Sequence, residues 1–258
     1  MYIRFFSVFP FVFDTIARFY GYWSYPAYFS EKPELKTHGV LFLSERREKA
    51  SEYQLLKSLT HSPNIFLQAK DHSIQLELID ITNHDECFAI LRPEKPLIEN
   101  TVYSLCINGA KEKFHNRYLD SVTDIQWTVI KGREKIPPHW LEIPKILRLV
   151  NTEISEQDGS FSSKPEKAIY FSCPLQEKAA FFVKVTVRWY QDNLPNQSIF
   201  YVRPNNSEIK IGGALHNSGV RSNFNFPHSI KNYEVIFQAI DEYGNWSKPT
   251  PPIKFTPP

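Results

Sequence analysis

The chain is poor in residues that carry covalent and metal chemistry. Among its 258 residues are three cysteines (Cys87, Cys106 and Cys173) and one methionine. The cysteines lie far apart and none forms a C-x-x-C pair, which argues against the common zinc sites. An odd number cannot pair completely within one chain. A single Cys87–Cys106 bridge stays open, because sequence does not test disulfide geometry. Glycine is scarce, with 9 Gly against 19 Pro. G-x-S-x-G, H-E-x-x-H, the P-loop and G-x-G-x-x-G are all missing. Gly212-Gly213 leads into Ala214-Leu215-His216 rather than a capped helix, and reads as a loop. No two carboxylates stand out as a glycosidase pair. The expectation is a protein that is not an enzyme, with no catalytic residue, no metal ligand and no cofactor. A cryptic hydrolase is the remote alternative.

Charge of one sign is also lacking. Lys+Arg number 30 and Asp+Glu 28, a net charge of +2. Proteins that bind nucleic acid neutralise phosphates with a basic stripe. The nearest stretch here, Arg46-Arg47-Glu48-Lys49, is short and interrupted, and reads as a solvated patch. No nucleic-acid partner is expected. No apolar run approaches the ~20 residues of a membrane-spanning helix. The longest is Phe5-Phe6-Ser7-Val8-Phe9-Pro10-Phe11-Val12-Phe13, preceded by Arg4. It resembles the start of an export signal, yet Pro10 interrupts it, Asp14 ends it and no A-x-A site follows. Two readings stand: an export signal or membrane-proximal leader, or an aromatic-rich segment that packs on the first domain. Any membrane association is expected only through this leader.

What the sequence does have is aromatic residues, at 15%. Aromatic and β-branched side chains suit pleated, half-buried surfaces, and prolines punctuate loops and sheet edges. Short apolar runs separated by turn residues follow from about Thr37 onward. Ile74, Leu76 and Leu78 alternate with Gln75 and Glu77, a period of two that puts one apolar face on a sheet. Lys70–Ser73 reads as the hairpin turn before them. Residues 45–59 fit a short helix or a long loop. Further strands are read at 40–43, 64–69, 86–92, 102–108 and 123–130. Residues 131–140, with Pro137-Pro138, read as a linker. An ordinary long loop inside one large β domain is the rival. Beyond it, Val183, Val185, Val187 and Trp189 alternate with Lys184, Thr186 and Arg188, the cleanest pattern in the chain. Strands are read also at 145–153, 168–173, 232–240 and 253–256. Residues 198–203 and 208–211 read as a pair joined by Pro204-Asn205-Asn206.

Eight histidines are scattered, and His61, His72, His84 and His115 sit in or beside expected turns, where they read as solvent-facing. Asn83-His84-Asp85-Glu86 reads as a polar loop, because calcium needs more spaced oxygen ligands.

Two segments carry a resemblance. Leu97-Ile98-Glu99-Asn100-Thr101-Val102-Tyr103 resembles the L-x-P-x-T-x-Y segment of fibronectin type III and related sandwiches, with Glu99 in place of the proline. The longer run from Leu91 to Tyr103 resembles bacterial Ig-like domains of cell-envelope proteins. Residues 233–247, with Asp241, Gly244 and Asn245, resemble strand F, the turn and the start of strand G in such domains. The resemblance implies that Tyr103 forms a tyrosine corner, that Tyr233 holds the matching position, and that Trp189 is the buried strand-C tryptophan. Leu105 and Val235 stand where antibody-type domains carry cysteine, so the inter-sheet disulfide is not expected.

The expected fold is therefore all-β: two tandem immunoglobulin-like β-sandwiches, at 35–131 and 141–258, behind an aromatic-rich leader at 1–34. The expected function is a non-catalytic cell-envelope, periplasmic or secreted protein acting as a spacer or protein-interaction module. The alternative is a carbohydrate-binding module, since Tyr243, Trp246 and Trp140 on loops offer faces for sugar stacking. The sequence names neither a protein nor a glycan partner.

Overall fold

Alternation of apolar and polar side chains dictates extended chain wherever one face is buried, and strands dominate the computed structural model. It describes residues 2–5, 34–46, 64–83, 86–107, 110–111, 113–116, 121–124, 126–132, 136–152, 166–176, 181–205, 207–214, 223–227 and 229–257. No helix occurs among these residues. The chain divides into two compact units, Met1–Ile136 with Glu242–Gly244, and Pro137–Asp241 with Asn245–Pro258. The division falls inside the expected linker, immediately before Pro137.

The first unit contains β1 (Tyr2–Phe5), β2 (Glu34–Lys36), β3 (Leu41–Arg46), β4 (Ile65–Gln68), β5 (Ser73–Asn83), β6 (Glu86–Pro93), β7 (Val102–Ile107), β8 (Ala110–Lys111), β9 (Lys113–Asn116), β10 (Ser121–Asp124) and β11 (Gln126–Ile130). The main sheet runs β1-β3-β6-β5-β4-β7-β11-β2, and β5 carries it from one layer to the next. Ser73–Gln75 pair with β4, whereas Leu76–Asn83 pair with β6 through an irregularity between Leu78 and Asp80. The two wings close on one core that includes Leu41, Leu67, Leu76, Leu91, Tyr103, Leu105 and Trp127. Residues 45–46 of the ambiguous 45–59 stretch belong to β3, and 47–59 lie outside the described residues. Of the expected leader, Tyr2–Phe5 pair antiparallel with β3, and residues 6–33 lie outside the described set. Cys106 is buried, and the side chain of Cys87 lies outside the described residues.

The second unit contains β12 (Ile146–Thr152), β13 (Glu166–Ser172), β14 (Phe181–Gln191), β15 (Leu194–Val202), β16 (Glu208–Ala214), β17 (Tyr233–Asp241) and β18 (Ile253–Phe255). A sheet β12-β13-β16 belongs with a sheet β15-β14-β17-β18 in one core. In immunoglobulin lettering this is ABE against C′CFG: the constant-domain arrangement with its fourth strand moved to the other sheet. Val183, Val185 and Val187 are fully buried, as their alternation requires. The Phe171 and Phe237 rings meet at 5.1 Å between the sheets.

Two expectations are corrected. Residues 198–203 and 208–211 do not pair with each other: β15 pairs with β14, and β16 with β13. The hairpin turn lies earlier, at Asp192 and Asn193, whose φ of 52° and 61° suit a tight I′-type reversal. Gly212 and Gly213 are strand residues, not a loop. Gly212 has φ +92°, and a Cβ there would stand 2.2 Å from Lys167 O and 2.8 Å from a Phe226 ring carbon. The expected turn after β17 is present. Asn245 N donates to Asp241 Oδ1 at 2.8 Å, and Gly244 takes φ +77°. Beyond it, two hydroxyls act as acceptors for β17 amides. Ala239 N donates to Ser247 Oγ (2.8 Å) and Phe237 N to Thr250 Oγ1 (3.0 Å).

Candidate functional site

The two corner tyrosines differ. Tyr103 is fully buried, and its Oη accepts from Ile98 N at 3.3 Å, five residues upstream. That is the corner implied by the resemblance. A second partner was not legible in the sequence: His72 Nε2 lies 2.7 Å from the same oxygen, and His72 Nδ1 lies 2.8 Å from Asp71 Oδ1. The turn holding His72 is fixed by Ala69 N donating to His72 O at 2.9 Å. With the Ile98 amide as donor, the network is satisfied when Tyr103 O–H donates to Nε2 and Nδ1–H donates to Asp71. The His72 hydrogen bond holds the Asp71 carboxyl below its ordinary range. Tyr103 presents no surface to a substrate, so this chain of groups orients the corner.

Tyr233 opens β17 and is 2% exposed, but its hydroxyl has no hydrogen-bond partner among the described residues. Rings pack around it: Phe255 at 5.4 Å, Phe226 at 5.7 Å and Trp189 at 6.1 Å, and residue 228, five positions upstream, lies outside the described residues. Burial pushes the Tyr233 phenol up to about 12. Trp189 is half-buried rather than central, and Phe224 covers it at 5.6 Å.

The three aromatic candidates end in different settings. Tyr243 is 7% exposed and offers no open ring face. Trp140 makes a β-bridge with Leu175 and packs 6.3 Å from Phe237, so its ring belongs to the second unit's core. Trp246 is half-buried. Its ring lies 6.3 Å from Tyr201, with Lys184 Nζ 5.7 Å from its centroid. Tyr243 belongs to the first unit, and Trp140 and Trp246 to the second. Among the described residues no group of three His, Cys, Asp or Glu side chains is placed to hold a metal ion.

A surface the sequence did not mark is the strand β12. The run Ile146-Leu147-Arg148-Leu149-Val150 looks like a buried strand, yet Ile146, Leu147 and Leu149 are 43%, 49% and 51% exposed. β12 is an edge strand, and among the described residues nothing pairs with its outer side. The direction of its backbone groups follows from its neighbours. Cys173 N donates to Ser207 O beyond the end of β16, whereas Ser172 N donates to Lys145 O. Even-numbered residues of β13 therefore face β12 and odd-numbered ones face β16. Arg148 and Val150 stand opposite Tyr170 and Ala168. Their backbone groups point into the sheet, and those of Leu149 and Asn151 point off the open edge.

The outer face of β12 is fixed by charge. Arg148 lies 3.7 Å over the Tyr170 ring and donates twice to Glu208, at 2.5 and 2.7 Å. The pairing raises the guanidinium and lowers the Glu208 carboxyl. Lys145 bridges Glu142. Exposed pairs of this kind add little stability, but they hold Arg148 flat along the sheet and clear of the edge.

No protein-family model matches the chain, and no curated protein matches it. Among solved structures, pullulanase type I from Bacillus subtilis, complexed with maltose, is 8% identical over 86% of this chain, with a TM-score of 0.24. This chain spans only 24% of that protein's length. Domains A168–A170 from titin are 10% identical over 99% of this chain and 66% of theirs, with a TM-score of 0.25. A DUF4785 family protein from Legionella pneumophila is 9% identical over 87% of this chain and 54% of its own, with a TM-score of 0.21. Likeness this loose carries no argument about function, and the fold rests on the strand order and register described above.

Proposed function

We propose that the chain is a non-catalytic interaction module of the cell envelope or extracellular space, whose second unit offers an open strand edge to a protein partner. One observation carries this reading: β12 is apolar, half-exposed and, among the described residues, unpaired along one side. Exposed apolar patches on soluble domains mark interaction surfaces, and a free edge accepts another strand through main-chain bonds. A photo-reactive phenylalanine analogue at Leu147, in cells that make the protein, is expected to capture a protein. The same analogue at Thr186, within the second sheet, is the control. Absence of any adduct from position 147 overturns the reading. The extracytosolic placement is supported by the apolar run after Arg4. It is tested by fractionation, and recovery only from the cytosol would remove it.

A carbohydrate-binding reading has one observation in its favour, the half-exposed Trp246 beside Tyr201 and Lys184. An indole with an adjacent cation suits a sugar bearing an acidic group. A glycan array without hits, or unchanged binding after Trp246→Ala, removes it.

A further inference from the structure

We infer that the outer face of the sheet β15-β14-β17-β18 binds an acidic polysaccharide, laid along β14 with its carboxylates on Lys184 and Arg188. The inference rests on the carbohydrate reading above and names its ligand as a charged chain rather than a single sugar.

The register builds the face. Residues directly opposite in adjacent strands share a face of the sheet. Lys184 stands between Tyr201 of β15 and Gln238 of β17. Thr186 stands between Ile199 and Ile236, and Arg188 between Gln197 and Glu234. Val183, Val185 and Val187, which alternate with them, fill the core, so these rows look outward. Trp246 joins the first row through its bridge to Ile240, two residues along β17 from Gln238.

The rows offer the contacts that a sugar chain uses. The Tyr201 and Trp246 ring centroids lie 6.3 Å apart with their planes at 50°, two adjacent faces for the C–H sides of pyranose rings. Lys184 Nζ, 5.7 Å from the indole centroid, sets a cation beside them. Gln238 Nε2 donates to Ser247 O at 3.0 Å, which fixes the amide and leaves its oxygen to accept from a hydroxyl. Thr186, half-buried, adds a hydroxyl of its own. Arg188 is exposed. It follows Lys184 by four residues, ~13 Å along the strand at ~3.3 Å per residue, a spacing that several linked sugars span and one does not.

Charge and topology narrow the ligand. Among the described strand residues of this face, Lys184, Arg188 and Lys254 stand with one carboxylate, Glu234. That balance favours an anion. β14 and β17 are paired along both sides, so a peptide laid here finds no backbone edge to join. A polysaccharide needs none, because stacking and side-chain hydrogen bonds hold it.

The test is calorimetric titration of the full chain with galacturonic acid and its oligomers, beside neutral glucose oligomers and polyglutamate. Galacturonate oligomers are expected to bind, more tightly than the monomer and more weakly as salt is raised. The neutral oligomers and polyglutamate are expected not to bind. Trp246→Ala and Lys184→Gln should each lower the affinity about tenfold, and Trp246→Phe, which keeps a ring, should retain most of it. Arg188→Gln should remove the gain with chain length. Lys210→Gln takes away a cation 5.6 Å from the Tyr170 ring on the other sheet, and should change nothing. Melting temperatures equal to wild type separate a lost contact from a lost fold. Galacturonate oligomers that do not bind overturn the inference. So does equal affinity for polyglutamate, which would make the face a site for acidic peptides, or a chain-length gain that survives Arg188→Gln. If neutral glycans bind through Trp246 and galacturonate does not, the acidic chain fails and the carbohydrate reading survives. If no glycan binds, both fail.

Discussion

His72 Nε2 lies 2.7 Å from Tyr103 Oη, tying the β4–β5 turn to the start of β7 across 31 residues of sequence. The same oxygen accepts from Ile98 N, so one buried phenol fastens two loops of the first unit. Removing the hydroxyl takes a partner from the Ile98 amide and from an imidazole nitrogen in a part-buried site. Tyr103→Phe is expected to cost ~1–3 kcal/mol, the penalty of leaving a buried polar group unsatisfied. His72→Ala is expected to cost less, since water reaches its partly exposed site. Urea denaturation followed by tryptophan fluorescence measures both. A Tyr103→Phe variant as stable as wild type would show that the corner is ornamental.

Tyr233 gives the opposite expectation. Its hydroxyl is buried and unpartnered among the described residues, so Tyr233→Phe should be neutral or stabilising by up to ~1 kcal/mol. Its phenol rises from 10.0 to about 12 through burial. A group whose folded-state value is raised contributes stability that is whole below the unfolded value and is lost as pH climbs through the folded one. Wild type should therefore lose stability between about pH 10 and about pH 12 more steeply than Tyr233→Phe. Identical alkaline profiles would contradict this.

Gly212→Ala should destabilise by more than ~1 kcal/mol, because a side chain at φ +92° is strained and the new methyl meets Lys167 O. Thermal melts read it directly. A melting temperature within error of wild type would mean that β16 is free to shift outward.

Burial pushes the Cys173 thiol up to about 12. Since the thiolate is the reactive form, iodoacetamide near neutral pH should leave Cys173 unmodified in the folded protein and label it in denaturant. Peptide mapping distinguishes the two. Rapid labelling under native conditions would place Cys173 outside the core.

Local pattern reveals some of this fold and conceals the rest, for identifiable reasons. The valine alternation of β14 and the Tyr103 segment are local, and the sequence shows each as strand or corner. β15 was read too short because Leu194-Pro195-Asn196 has loop composition, although the Asp192-Asn193 reversal extends pairing through it. His72 looked like a turn residue, and only the turn's position against β7 gives it a partner. The open side of β12 left no mark on the sequence. An apolar run reads as buried whether its neighbour is a second strand or solvent, and only the sheet order tells them apart. The rings of Phe226 and Phe255 around Tyr233 come from separate segments, so the sequence around position 233 does not show them.

The openness of β12 is tested most directly by the exchange rate of the Leu149 amide in dilute protein, compared with that of Ile169 one strand inward. An open edge requires Leu149 to exchange at nearly the rate of unstructured chain while Ile169 stays protected. A Leu149 amide as protected as Ile169 at high dilution would mean that the chain itself covers this edge, and the edge would then not be available to any partner.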